Sequence, residues 1–174
     1  MIYPPGTPTQ PEIIAVALSK LELKSGDVFA DIGCGSGSVS ISAAGFVRQV
    51  YAIDNRDEAV RAAEANISER GISNIIVLKG EASKLIPDLD IDCAFVGGSK
   101  NISSILDVMG QKIPRFVVSA ARIETVSEAL EIMKKNSSFR ELIQVMISRG
   151  HDLAGGTMFR PENPVFLVVG GKQC

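Results

Sequence analysis

With 174 residues, 45% apolar and 22% charged, the chain has the balance of a soluble globular protein, expected to form a single domain over residues 1–174. Eighteen Lys and Arg against twenty Asp and Glu give a net charge of −2, and tryptophan is absent. That argues against the basic surplus and aromatic platforms typical of nucleic-acid binding, while leaving room for local basic patches.

In chain order, residues 1–8 are rich in proline and glycine and read as a lead-in. Thr9, Pro11 and Glu12 fit a capping box, with Thr9 as N-cap and Glu12 reaching back. The helix it opens carries Ile13, Ile14, Ala17, Leu18 and Leu21 on one face. Val28-Phe29-Ala30 begins a first strand, which runs into DIGCGSG at 31–37 and then a helix over 38–46. A second strand over 49–53 ends in Asp54. The spacing predicts a helix over 57–70, with Val60, Ala63 and Ile67 inward and Gly71 as its stop. Strands over 74–78 and 92–96 end at Gly80-Glu81-Ala82 and Gly97-Gly98-Ser99-Lys100. A helix over 102–109, a strand over 115–120 and a helix marked by Val126, Ala129, Leu130 and Met133 follow. Two β-like runs, 139–147 and 164–169, are joined by a loop holding Gly155-Gly156 and are expected to pair as an antiparallel edge hairpin. The alternation predicts an α/β fold, a mostly parallel sheet with helices on both faces.

The loop at 31–37 lies at the carboxyl end of the first strand, where open α/β sheets bind ligands. Its glycines, Gly33, Gly35 and Gly37, let the backbone approach a nucleoside, with Cys34 and Ser36 as small fillers and Asp54 placed to accept from ribose hydroxyls. A dinucleotide fingerprint is G-x-G-x-x-G; here the third glycine comes one residue too early, which disfavours a nicotinamide dehydrogenase. S-adenosyl-L-methionine has no phosphate but carries an ammonium and a sulfonium, which suits the extra acid, Asp31. D-x-G-x-G-x-G after a strand resembles motif I of the Rossmann-like class I methyltransferases. At the third strand's tip Glu81 is an acceptor for an adenine amino group and Ala82 a packing surface; both also read as an ordinary loop.

Around the predicted crevice, Gly97 and Gly98 leave room for a substrate edge, while Ser99 reads as a weak catalytic candidate or a helix cap. Lys100, Arg122, Arg149 and Arg160 are candidate partners for substrate carboxylates. His151, the single histidine, is a weak general-base candidate. Cys34, Cys93 and Cys174 are odd in number and lack C-x-x-C spacing, so neither a disulfide framework nor a metal site is expected. No run reaches the roughly eighteen apolar residues of a membrane span, and no signal pattern opens the chain, so a cytoplasmic protein without membrane partners is expected.

PGTPTQPE (5–12), DIGCGSG (31–37), VYAID (50–54), Gly80-Glu81-Ala82, VGGSKN (96–101), Arg149-Gly150, GGTMF (155–159) and Asn163-Pro164-Val165 occur together in that order. This set resembles the cobalt-precorrin-6B C15-methyltransferase (decarboxylating) family, CbiT, over nearly the whole chain. The resemblance implies a seven-stranded sheet, transfer of a methyl group from S-adenosyl-L-methionine to a tetrapyrrole corrin precursor, and loss of its ring C acetate as carbon dioxide. It also implies cobalamin biosynthesis, a homotetramer, and cofactor contacts at Thr9, Gly33 to Gly37, Asp54 and Ala82. Ser36 and Glu81 depart from the family's usual threonine and aspartate but keep the hydrogen-bonding chemistry. Other readings of the residues are an RNA or protein methyltransferase of the same fold, and a non-catalytic scaffold.

Overall fold

The computed structural model describes residues 1–6, 8–98 and 100–172, so the expectations for Ser99 and Cys174 fall outside the described residues. The elements are α1 (Pro11–Leu21), β1 (Val28–Ile32), α2 (Ser38–Ala44), β2 (Gln49–Asp54), α3 (Asp57–Glu69), β3 (Ile75–Lys79), α4 (Ala82–Leu85) with a 3-10 turn over Ile86–Asp88, and β4 (Cys93–Val96). They continue as α5 (Ile102–Lys112), β5 (Arg115–Ala120), α6 (Ile123–Lys135), β6 (Phe139–Val145), β7 (Ser148–Leu153), β8 (Gly156–Pro161) and β9 (Val165–Gly171).

Seven strands form one sheet in the order β3-β2-β1-β4-β5-β9-β6. β1 to β5 pair in parallel, and β9 inserts antiparallel between β5 and β6. Side chains alternate across the sheet with the period of two that a pleated strand imposes. Ala30, Ile32, Ala94, Val96, Phe116 and Val118 face one layer, where α5 and α6 supply Leu106, Met109, Ala129 and Met133. Phe29, Val50, Cys93, Phe95 and Val117 face the other, against Ile13, Ala17 and Leu21 of α1 and Val39 and Ala43 of α2. At the amino ends of the strands, Arg115 ties α1 to the sheet. Its Nη1 donates to the Leu21 and Glu22 carbonyls at 2.7 and 2.6 Å, and its Nη2 to Asp27 Oδ2 at 2.7 Å. The level carboxyl tips of β1, β2 and β4, set by Ile32↔Ile53 and Ile32↔Val96, are left free for a site.

Three local expectations are corrected. The capping box does not form: α1 begins at Pro11 with Gln10 as N-cap and no side-chain cap bond. Glu12 instead takes two charge-assisted bonds from Arg149, Nη1 at 2.8 Å and Nη2 at 3.0 Å, a stronger partner than a backbone N–H. On α3 the deeply buried residues are Ala59, Ala62, Ala63, Asn66 and Ile67, with Val60 only half-buried. The reason is close approach: a Cβ built on Gly37 would lie 3.4 Å from that of Ala63, so the contact line admits alanine. The expected loop between the last two sheet strands is partly a separate ribbon, β7 paired antiparallel with β8.

Candidate active site

The cleft over the strand tips has a volume of about 390 Å³. Its floor is the loop at 31–37, whose turn depends on left-handed backbone at Gly33, Gly35 and Gly37, with φ of 75°, 55° and 77°. The loop is pinned to its neighbours by backbone bonds. The N–H groups of Gly33 and Cys34 donate to the Ile53 carbonyl at 2.8 and 3.0 Å, and the Gly97 N–H to the Ile32 carbonyl at 2.8 Å. Gly33 and Gly98 touch backbone to backbone: a Cβ on Gly33 would fall 2.9 Å from the Gly98 nitrogen. The glycines of the first and fourth strand tips are thus one packing unit. A Cβ on Gly35 would meet nothing within 4 Å among the described residues, and that position lines the cleft.

Two carboxylates define the electrostatics. Asp31 is 1% exposed. Its Oδ2 accepts from the Ser40 backbone N–H at 2.9 Å and from the Ser40 hydroxyl at 2.6 Å, whereas Oδ1 is buried without a partner among the described residues. Burial, opposed by Ser40 and reinforced by the charge of Asp54, pushes its pKa up to about 6. Asp54, 4% exposed, accepts from the Gly35 N–H through Oδ2 at 3.1 Å and from the Arg56 N–H through Oδ1 at 3.1 Å. The Arg56 guanidinium adds Nε to Oδ1 at 3.1 Å and Nη2 to Oδ2 at 3.0 Å. Burial pushes the Asp54 pKa up, but the bonds from Arg56 and Gly35 prevail and hold it below the usual carboxylate range.

Glu81 sits at the cleft edge between two asparagines, Asn55 Nδ2 donating to Oε1 at 2.7 Å and Asn101 Nδ2 to Oε2 at 3.3 Å. These bonds hold its pKa below the ordinary value. Cys34 is buried in the loop and its thiol is pushed up chiefly by burial, as befits a filler rather than a nucleophile. Thr9, Ser36, Ala82, Gly97, Gly98 and Lys100 also line the cleft.

The remaining candidates lie elsewhere among the described residues. Arg122 is exposed at the N-cap of α6, beyond the tip of β5. Arg149 and Arg160 face each other across the ribbon. Arg149 is held by Glu12 and, through Nε at 2.8 Å, by Glu162; these partners push its pKa up. His151 lies on β7 opposite Met158, with Nδ1 unpartnered, and does not line the cleft. Sequence reasoning missed Tyr3, Arg56 and Asn66. Tyr3, Pro4, Pro5 and Gly6 form a strap along the cleft, secured by Asn66, which accepts from the Ile2 N–H at 2.6 Å and donates to the Ile2 carbonyl at 2.8 Å.

A seven-stranded sheet with its final strand reversed between β5 and β6, and a glycine loop facing an acid on the adjacent strand tip, defines a class I methyltransferase. The sequence model described as a precorrin methyltransferase domain matches residues 4–170, and the chain belongs to that family. A Methanosarcina acetivorans relative named "Probable cobalt-precorrin-6B C(15)-methyltransferase (decarboxylating)" is 56% identical, the match covering 97% of this chain and 96% of the relative. The crystal structure of a precorrin 8w decarboxylase from Methanobacterium thermoautotrophicum is 35% identical, with TM-score 0.91 over 98% of this chain and 96% of that one. A precorrin-6y C5,15-methyltransferase from Geobacter metallireducens is 26% identical, with TM-score 0.90 over 98% of this chain and 93% of that one.

Proposed function

We propose that this methyltransferase methylates C15 of cobalt-precorrin-6B and releases its ring C acetate as carbon dioxide, a step of cobalamin biosynthesis, with S-adenosyl-L-methionine as methyl donor. The substrate and reaction are supported by the relatedness to precorrin methyltransferases, and the methyl donor by Asp31 Oδ1 at the cleft floor: a buried carboxylate oxygen with no donor among the described residues suits an ammonium group. Asp54 would accept from the ribose hydroxyls and Glu81 from the adenine amino group, with Ala82 against the ring. The bound cofactor supplies a methyl group on a sulfonium, ready for displacement by a carbon nucleophile.

The chain's own contribution is alignment, for which positioning supplies several kcal/mol or more. The Gly33–Gly98 contact fixes the cofactor loop against the loop that would receive the macrocycle, and Gly97 and Gly98 present no side chain to it. Lys100, on the cleft, is the first partner for the substrate's carboxylates, with Arg122 at the neighbouring strand tip the second. Arg149, already engaged by two glutamates, is better suited to holding the ribbon against α1. Loss of carbon dioxide leaves an electron pair that the conjugated macrocycle accepts, so no strong base is required of the cleft. Cobalt belongs to the substrate in this scheme. The ribbon exposes Leu153, Met158 and Phe159, apolar surface that a homotetramer would bury, and sedimentation equilibrium tests that assembly.

Incubation with cobalt-precorrin-6B and S-adenosyl-L-methionine should yield, by mass spectrometry, a macrocycle with one methyl gained and one carbon dioxide lost. An unaltered macrocycle would refute the assignment. Asp54→Asn should weaken S-adenosylhomocysteine binding by about 1.5–3 kcal/mol, the worth of hydrogen bonds to a charged group, read as roughly a tenfold to hundredfold change by calorimetry.

A further inference from the structure

An ionised carboxylate offers about four lone-pair sites, and those of Asp54 are all taken within the free chain. The two backbone donors, Gly35 and Arg56 N–H, are fixed by the loop and by the start of α3. The two guanidinium donors, Nε at 3.1 Å and Nη2 at 3.0 Å, are the ones able to leave. A nucleoside whose ribose is to be held by Asp54 therefore meets an acceptor already saturated by a fork of matching geometry. We propose that Arg56 is an internal competitor for the ribose site, and that its guanidinium must swing off Asp54 before the cofactor is held. This rests on the assignment of Asp54 to the ribose.

The geometry gives the displaced group somewhere to go. The Arg56 side chain is 37% exposed, against 3% for that of Asp54, so it turns outward without disturbing the core. Its Nη1 already donates to the Pro5 carbonyl at 3.0 Å, on the strap that lines the cleft. The guanidinium thus keeps one acceptor while releasing two. In the free protein the same fork spares Asp54, buried and close to the Asp31 carboxylate, from standing as an uncompensated charge. Arg56 thereby sets the affinity of the nucleoside site without forming part of the bound constellation.

Calorimetric titration with S-adenosylhomocysteine at pH 8 tests this in a double-mutant cycle. Arg56→Met keeps the aliphatic stem and removes the fork, and should tighten binding by about threefold to fivefold, the scale of a partly exposed ion pair worth up to roughly 1 kcal/mol. In an Asp54→Asn background the same substitution should produce little or no tightening, because a neutral amide with a single acceptor oxygen no longer holds the guanidinium by a charge-assisted fork. Arg56→Lys, which keeps the charge but offers one point contact, should tighten less than Arg56→Met and serves if the latter folds poorly. If Asp54→Asn weakens binding but neither Arg56 variant tightens it, the competitor role is wrong while the ribose site stands. If Asp54→Asn leaves affinity unchanged, both readings fall.

Discussion

Asp31→Asn is expected to give a protein that melts several degrees higher at pH 8 and holds S-adenosylhomocysteine at least tenfold more weakly. In the wild type, Asp31 binds its proton more tightly when folded, with a pKa of about 6, than when unfolded, at 3.8. Between these values the folded state carries more protons than the unfolded one, so stability falls as pH rises through that window and stays low above it. Those values correspond to a cost on the order of 3 kcal/mol for ionising Asp31 in its buried site at pH 8. Asparagine has no such cost and can keep its carbonyl oxygen on the two Ser40 donors at the Oδ2 position. Its amide then points toward the unpartnered Oδ1 position, offering a donor where an ammonium group needs an acceptor. For a chain of this size each kcal/mol moves the melting temperature by about 2–4 °C. Scanning calorimetry at pH 4 and pH 8 separates the cause: the gain should be present at pH 8 and nearly vanish at pH 4, where Asp31 is already neutral. An equal gain at both values would mean that packing, not ionisation, was altered.

The cost of Asp31 explains which parts of the site were legible in the sequence. An acid at the end of the fully buried run Val28–Ile32 conflicts with its surroundings, and functional residues are where such conflicts are kept. The glycine loop was equally readable, because a fixed spacing of glycines after a strand encodes a backbone path directly. Thr9 misled because a capping box is a local signal, whereas Glu12 is claimed by Arg149, 137 residues away. Asn66 carried no local signal, its partner Ile2 lying 64 residues off; Arg56 sits two residues from Asp54, but an arginine beside an acid reads as an ordinary surface pair, and its link to Pro5 spans 51 residues. The β7–β8 ribbon was hidden for a different reason. Nearly every residue in it is exposed, so it has no buried face and no alternation for a periodicity argument to find. Gly97 and Gly98 read from the sequence as room for a substrate edge, whereas in the fold Gly98 packs against Gly33, a contact between distant loops that no local spacing announces.

That contact makes Gly33→Ala and Gly98→Ala a discriminating pair. At Gly33 the backbone is left-handed, with φ of 75°, a conformation that costs an L-residue with a Cβ roughly 1–2 kcal/mol. The new Cβ would also lie 2.9 Å from the Gly98 nitrogen and 3.2 Å from its Cα, both backbone atoms tied into strand tips that cannot yield cheaply. Gly33→Ala should therefore lose about 2–4 kcal/mol of stability, measurable by urea unfolding, and push the cofactor loop away from the fourth strand tip. S-adenosylhomocysteine affinity should fall with it by tenfold or more. The reverse substitution starts from the other side of the same contact, where a Cβ on Gly98 would find its nearest neighbour, Gly33 Cα, at 3.9 Å, an ordinary van der Waals distance. Gly98→Ala should stay within about 1 kcal/mol of wild type and keep its cofactor affinity, while turnover should fall if its methyl group meets the macrocycle as proposed. Equal destabilisation by the two variants would show that the loops move together instead of colliding, and the rigid coupling between cofactor and substrate loops would then have to be abandoned.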